Sequence, residues 1–294
     1  MSKPPIPSAS VAQCFRSIAL SGTLVVVIPS REGLVIAADS RSTVDGQYFD
    51  GVVKLHVTQT QRPIVVAVTG TANFIDAPPK GISLEDWFPK ATYRYRGTSF
   101  AQAYLNQRPD TVLSASVVSA VAAAFATSLG EGLDADPSKK AHFAGQELCR
   151  VVLAQTESDG SMRYASVPLN VDSGGRVIPG TPVFEVYRAN DERTMHYLGE
   201  SRYTAEHVLG PNGRRLLDSR AAHLMNAARG ISDLSASDAC FIAVAIIRAA
   251  EATTCLVPIP SGNGIGGKPN AYLITSERVV SLSTDVSPQG GEPR

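Results

Sequence analysis

Three side chains of this 294-residue chain could do chemistry together: the hydroxyl of Thr23, the carboxylate of Asp39 and the ammonium of Lys54. Thr23 follows Gly22 and opens an apolar run that ends at Ile28. Asp39 closes a second run, Gly33-Leu-Val-Ile-Ala-Ala38, and Lys54 sits inside a third, Val52-Val53-Lys54-Leu55. A threonine hydroxyl is a poor nucleophile and needs a nearby base. At a chain start its own α-amino group can serve, because that amine titrates near ~7.7–8.0 when unperturbed. A neighbouring ammonium lowers the amine further and favours its proton-accepting form. In that scheme Lys54 supplies the field, Asp39 keeps the lysine charged and oriented, and amide N–H groups in the stretch from Ala67 to Gly70 stabilise the oxyanion. Thr23 is not residue 1, so the scheme requires self-cleavage at Gly22–Thr23. Gly22 suits it, since a residue without Cβ lets the scissile peptide adopt the tight geometry of attack by Thr23 Oγ. Singly, each residue has an ordinary explanation as a strand-start threonine, a strand-end aspartate or an edge lysine.

The elements that must position these groups are β-segments. Between the first two runs lies Pro29-Ser30-Arg31-Glu32-Gly33, whose Pro and Gly predict a hairpin turn. A hairpin folded about Arg31 sets Thr23 across from Asp39 to within a residue. The third run turns near 58–62 and returns as 63–68, which places Lys54 beside Val66 and Ala67. The runs are apolar without alternation, the pattern of strands buried on both faces.

With those motifs on the page, the chain resembles proteasome β subunits and their bacterial homologues, which are N-terminal-nucleophile hydrolases. The carriers are Gly22-Thr23, the stretch 33–41 with Asp39 and Arg41, Lys54, and the Val-Ala-Val-Thr-Gly-Thr-Ala element at 66–72. Asp39 follows Thr23 at the family's own spacing, and Lys54 falls one residue short of it. The resemblance implies an α+β fold, a four-layer αββα sandwich of two antiparallel sheets. It implies Thr23 as nucleophile and base, Asp39 and Lys54 as its supporting pair, Arg41 as a structural arginine, and Ala67 with Gly70 as the oxyanion and substrate positions. The serine that holds the threonine amine falls on Ser201, and Glu251 with Thr254 occupies the place of a further acidic-and-hydroxyl element. Val65, Thr69, Ser42 and Val52 would line the substrate pocket. The implied activity is a self-processing threonine endopeptidase with a polypeptide substrate and no cofactor or metal. It would act in homo-oligomeric stacked rings of six or seven members, with an unfolding ATPase as a possible partner. Two alternatives keep the fold: a non-catalytic ring or scaffold subunit, and a small-amide hydrolase with the same nucleophile.

On this reading residues 1–22 are a propeptide, 23–283 one domain with an aromatic- and proline-rich insertion at about 74–110, and 284–294 a mobile tail. The insertion is either a self-packed surface segment or a lid or subunit contact. Helices are expected at 114–128, 203–209, 214–228 and 236–252, the last capped by Ser235. Strands are expected at 148–154, 183–187 and within 271–283, with loops at Gly160, Gly174-Gly175 and Pro179-Gly180. The sequence Gly262-Asn-Gly-Ile-Gly-Gly267 spells GxGxxG, but it lacks the strand before and helix after that a dinucleotide site needs.

Composition narrows the rest. Hydrophobic residues make up 44% of the chain, and 27 basic residues balance 27 acidic ones. A chain without a basic face is a poor nucleic-acid binder. Cys14, Cys149, Cys240 and Cys255 have neither CxxC nor metal-ligand spacing, and the five histidines show none either. His56 shares the strand face of Lys54 by period-two alternation. No uninterrupted apolar run approaches the ~18–20 residues of a membrane span and no secretory pattern opens the chain. The expectation is therefore a cytoplasmic protein with reduced thiols.

Overall fold

The computed structural model describes residues 17–44, 46–91, 93–108, 110–134, 137–199, 203–210, 215–259 and 264–284. Its first strands are β1 (Ser17–Leu20), β2 (Leu24–Ser30), β3 (Gly33–Ala38), β4 (Ser42–Val44), β5 (Gln47–Phe49), β6 (Leu55–Val57), β7 (Val65–Gly70), β8 (Asn73–Asp76) and β9 (Tyr93–Arg96). There follow β10 (Glu147–Thr156), β11 (Met162–Val171), β12 (Val177–Pro179), β13 (Val183–Tyr187), β14 (His196–Gly199), β15 (Asn270–Ile274) and β16 (Val279–Leu282). The helices are α1 (Leu84–Trp87), α2 (Gly97–Asn106), α3 (Ala115–Asp134), α4 (Pro137–Phe143), α5 (Ser219–Ala227) and α6 (Ala236–Thr254).

Among the described residues all strand pairing is antiparallel, and the architecture is mixed α+β. One sheet runs β12-β11-β10-β7-β6, with β13 also on β11, and another runs β14-β2-β3-β15-β16. Alternation along β2 splits its side chains between two cores. Val25 and Val27 meet Leu55, Val65, Ala67, Val152 and Ala154 of the other sheet, while Leu24, Val26 and Ile28 join Ile242 and Ile246 of α6. On the far side, Val66, Val68, Val151 and Leu153 pack on Val121, Phe125 and Leu129 of α3. Strands buried on both faces need no polar alternation, which is why these runs are continuous. Each fully buried Val, Leu, Ile or Phe contributes about 1.5–3 kcal/mol relative to exposure.

The β2–β3 register runs from Val25 opposite Ala38 to Ser30 opposite Gly33. The turn is the two-residue Arg31-Glu32, and Ser30 Oγ donates to the Gly33 carbonyl at 2.6 Å. Asp39 therefore lies across from Leu24, one residue from the expected partner Thr23. β6 pairs Leu55 with Ala67, so Lys54 precedes the ladder by one position.

The stretch 74–110 is not a single surface insertion. Phe74, Ala101 and Leu105 belong to the core under α3, and α2 is a core helix. Phe88 instead stacks on Phe49 at 4.2 Å in a small satellite cluster with Ile75 and Val44. Helix α3 is long and apolar enough by length and composition to cross a membrane. Its Phe125 and Leu129 are fully buried against the sheet, as in a core helix. Helix α6 starts at the expected cap, where Ser235 Oγ accepts from the Asp238 amide at 3.1 Å. Strand β11 fills the stretch between the loops expected at Gly160 and Gly174-Gly175, where the sequence pattern assigns no element.

Candidate functional site

The end of β2, the end of β3 and the approach to β6 bring the three residues together below the surface. Thr23 and Lys54 are each 5% exposed and Asp39 is fully buried. Lys54 Nζ donates to Asp39 Oδ1 at 2.9 Å, to the Gly22 carbonyl at 2.6 Å, and to the Arg41 carbonyl. Thr23 Oγ donates to the same Gly22 carbonyl at 2.6 Å. The carbonyl preceding Thr23 is thus held by a hydroxyl and an ammonium at once. Gly22 has φ of 85°, a backbone state that residues with Cβ avoid.

Asp39 is held as a four-fold acceptor. Oδ1 takes the Leu24 amide at 2.9 Å besides Lys54, and Oδ2 takes the Arg41 and Gly266 amides, each at 3.2 Å. Burial pushes the Asp39 carboxyl above its ordinary range, opposed by Lys54 and the backbone donors. Burial also pulls the Lys54 ammonium below its ordinary value, opposed by the charge of Asp39. Both effects follow from removing charge from water.

Around this pair lies a second set of contacts. Arg41 grips Asp50 through two bonds of 2.7 and 3.0 Å, reaches Glu251 at 3.0 Å, and sits 5.5 Å over the Tyr48 ring. The Arg41 bond holds the Asp50 carboxyl below its usual range, and the Asp50 bond raises Arg41. Glu251 also accepts the Gly267 amide at 3.3 Å, and Thr254 Oγ donates within the helix to the Glu251 carbonyl at 2.7 Å. Gly199, at the end of β14, has φ of 94°, and a Cβ there would lie 1.8 Å from the Thr23 carbonyl oxygen. Only glycine lets β14 pass this close to the threonine.

A cleft opens on these groups, lined by Gly22, Thr23, Lys54, Ser42, Val52 and Gly70. Ala67 does not line it. Ala67 is fully buried in the ladder between Leu55 and Val152, and Gly70 takes the cleft position instead. Val65 likewise points into the core between the sheets, and Val68 rather than Thr69 reaches the cleft. His56 does not line it either. Burial, reinforced by Arg96, holds its imidazole below the ordinary value. Ser201 lies outside the described residues. Asp50 and Gly199 have no role in the sequence reading, though Gly199 stands two residues before the proposed serine, and Gly266 enters it only within the glycine-rich loop at 262–267. Among the described residues no cluster of three His, Cys, Asp or Glu side chains is placed to hold a metal ion.

Upstream of the cleft the chain is extended. Ser21 and Thr43 exchange backbone bonds of 3.1 and 2.8 Å, and β1 pairs with β8 from Ser17 opposite Asp76 to Leu20 opposite Asn73.

No protein-family model matches the chain, and no curated protein matches it. Among solved structures it is similar to the Anbu complex of Pseudomonas aeruginosa, a helical assembly. That match has 16% identity and TM-score 0.46, and covers 89% of this chain and 87% of the other. It is also similar to Anbu (ancestral beta-subunit) from Yersinia bercovieri, with 17% identity, TM-score 0.42 and coverage of 90% and 88%. An Anbu Gly-1 mutant from Hyphomicrobium sp. strain MC1 gives 15% identity, TM-score 0.41 and coverage of 90% and 88%. These neighbours correct the family resemblance read from the motifs: they are ancestral beta-subunit proteins, proteasome-like but distinct, and the chain is not identified as a proteasome β subunit. At this level of similarity the likeness carries no argument about chemistry.

Proposed function

We propose that the chain is a self-processing hydrolase in which Thr23, released at its amine by loss of residues 1–22, attacks amide bonds of polypeptides. The observation that supports this reading most is the fork made by Lys54, whose ammonium holds both the Gly22 carbonyl and Asp39. Attack by Thr23 Oγ forms a bond to the Gly22 carbonyl carbon. The Gly22–Thr23 C–N bond then breaks, and the hydroxyl proton ends on the departing amine. Water hydrolyses the resulting ester and frees residues 1–22. Lys54 stabilises the charge that builds on the Gly22 oxygen and afterwards lowers the pKa of the new amine. The mature hydroxyl then acylates on a substrate amide in the same place. Helices packed outside each of the two large sheets support the four-layer αββα reading of the fold. We extend to this chain the helical assembly named for the Pseudomonas protein, with a ring of like subunits as the form expected from the sequence.

A second reading is a non-catalytic subunit of such an assembly. It is favoured by the Thr23 hydroxyl bonding to the Gly22 carbonyl while all three Lys54 contacts go to acceptors. Among the described side chains, none is placed to take the Thr23 proton in the uncleaved chain. Intact-protein mass measured over time separates the two. A species beginning at Thr23, absent from Thr23→Ala, is expected of the hydrolase. A folded, assembled chain that stays full length through prolonged incubation decides for the subunit.

A further inference from the structure

The segment just upstream of the proposed cut is an extended strand seated on a defined partner. Ser17–Leu20 pairs residue for residue with Asn73–Asp76, and Ser21 continues the line by bridging to Thr43. β8 is the middle strand of its sheet, with β1 on one side and β9 on the other. Breaking the Gly22–Thr23 bond cuts the covalent tie between β1 and the domain. Once that strand departs, β8 loses its ladder on that side and becomes an edge strand, a template for another extended chain, while the Asp76 carbonyl keeps the Trp87 indole N–H at 2.8 Å.

The edge is built to persist without β1. Phe74 is 4% exposed in the core under α3, and Ile75 is 1% exposed against Val44. β9 pairs with β8 from behind, Asn73 with Arg96 and Phe74 with Tyr95. The edge is also continuous with the site, since Asn73 lines the same cleft as Thr23 and Lys54. We infer that Asn73–Asp76 is a binding edge for the backbone of an extended polypeptide substrate. It takes the third to sixth residues before the bond that Thr23 attacks, as Leu20 back to Ser17 do before Gly22. This inference rests on the threonine-hydrolase reading. Recognition here runs through backbone hydrogen bonds, so it selects extended chains over compact amides and tolerates varied side chains.

The test uses the full chain after self-processing, with its start at Thr23 verified by mass. Two acetylated peptides carrying a fluorogenic leaving group are compared, one ending Ser-Gly and one reading Ser-Ile-Ala-Leu-Ser-Gly. A third is the longer peptide N-methylated at its first four residues. The expected result is a kcat/KM at least tenfold higher for the longer peptide, with the gain erased by N-methylation. Amide exchange at 73–76 should be slow in uncleaved Thr23→Ala, fast after processing of the native chain, and slow again with the unmethylated peptide. Equal kcat/KM for all three peptides in a processed enzyme overturns this inference alone. So does protection of 73–76 that survives processing, which makes the leader a retained blocker. A chain that never processes overturns the hydrolase reading and this inference with it.

Discussion

The backbone amide of Gly266 donates to the Asp39 carboxylate at 3.2 Å, joining residues 227 positions apart. Its neighbours do the same for the surrounding set. The Gly264 amide bonds Thr43 Oγ at 2.8 Å, the Gly267 amide bonds Glu251 at 3.3 Å, and the Ser40 amide returns a bond of 3.0 Å to the Gly266 carbonyl. The segment that spells a phosphate-binding glycine pattern is thus a backbone clasp on a buried carboxylate. Its glycines are needed for space: an added Cβ would lie 2.7 Å from Tyr48 at 264, 2.3 Å from Glu251 Oε1 at 266, and 2.5 Å from Ser40 Oγ at 267.

Gly266→Ala should therefore act on the site through Asp39. The new methyl would also stand 2.6 Å from Arg41 Nη1, so Arg41 and Glu251 must part or the loop must lift. Overpacking of this kind costs about 1–3 kcal/mol, readable by urea unfolding of Thr23→Ala with and without the change. Release of residues 1–22 should slow at least tenfold. A variant that loses stability but processes at the native rate would show that the clasp supports the fold and not the chemistry.

The cysteines should divide by burial. Cys149 is buried and its thiol is pushed far up, and burial raises Cys240 to about 11, whereas Cys255 is exposed. The thiolate is the reacting form. Native Cys14→Ser protein at pH 8 should give one fast equivalent with a chromogenic disulfide, and two more only on denaturation. Rapid modification of Cys240 would mean that the face of α6 on the sheet opens readily.

How much of this was legible in the sequence depends on how local each contact is. Thr23, Asp39 and Lys54 lie on neighbouring β-segments, so apolar runs and one turn suffice to bring them close. The turn type is what shifted the register by one residue. β11 escaped notice because Ser166, Pro168 and Asn170 interrupt it and because it is buried on both faces, Tyr164 in one core and Val167 in another. Period two fails as a signal there. Asp50 and Gly266 reach the site through a turn and a loop with no periodicity, placed only when the sheets close. The parity of Ala67 on β7 turns its side chain between the sheets, away from the cleft, a fact that a motif match does not contain.

The buried pair gives the sharpest stability test. With Lys54 and Asp39 joined at 2.9 Å and side-chain exposures of 4% and 0%, removing one partner strands the other charge. Such truncations cost about 3–5 kcal/mol, while replacing both partners is far milder. Asp39→Asn and Lys54→Met, each made on Thr23→Ala to keep every chain uncleaved, should be destabilised in that range. The double variant should lose less than the sum of the singles. Additive losses in urea unfolding would mean that the two groups do not share a proton or a bond in solution.

The same lysine predicts opposite pH trends for folding and for chemistry. Burial sets the folded pKa of Lys54 below its unfolded value. Between those two values the unfolded chain holds a proton that the folded chain has released, so stability rises with pH through that window and is lost as pH falls through the folded pKa. Self-cleavage runs the other way, because only the ammonium can hold the developing charge on the Gly22 oxygen. Measured against Lys54→Met as the baseline, alkaline titration of Thr23→Ala should show a stability gain approaching pH 10.5. Over the same interval, release of residues 1–22 from the native chain should fall. Rates that climb with pH in step with stability would show that a neutral Lys54 amine, acting as base, drives the cut.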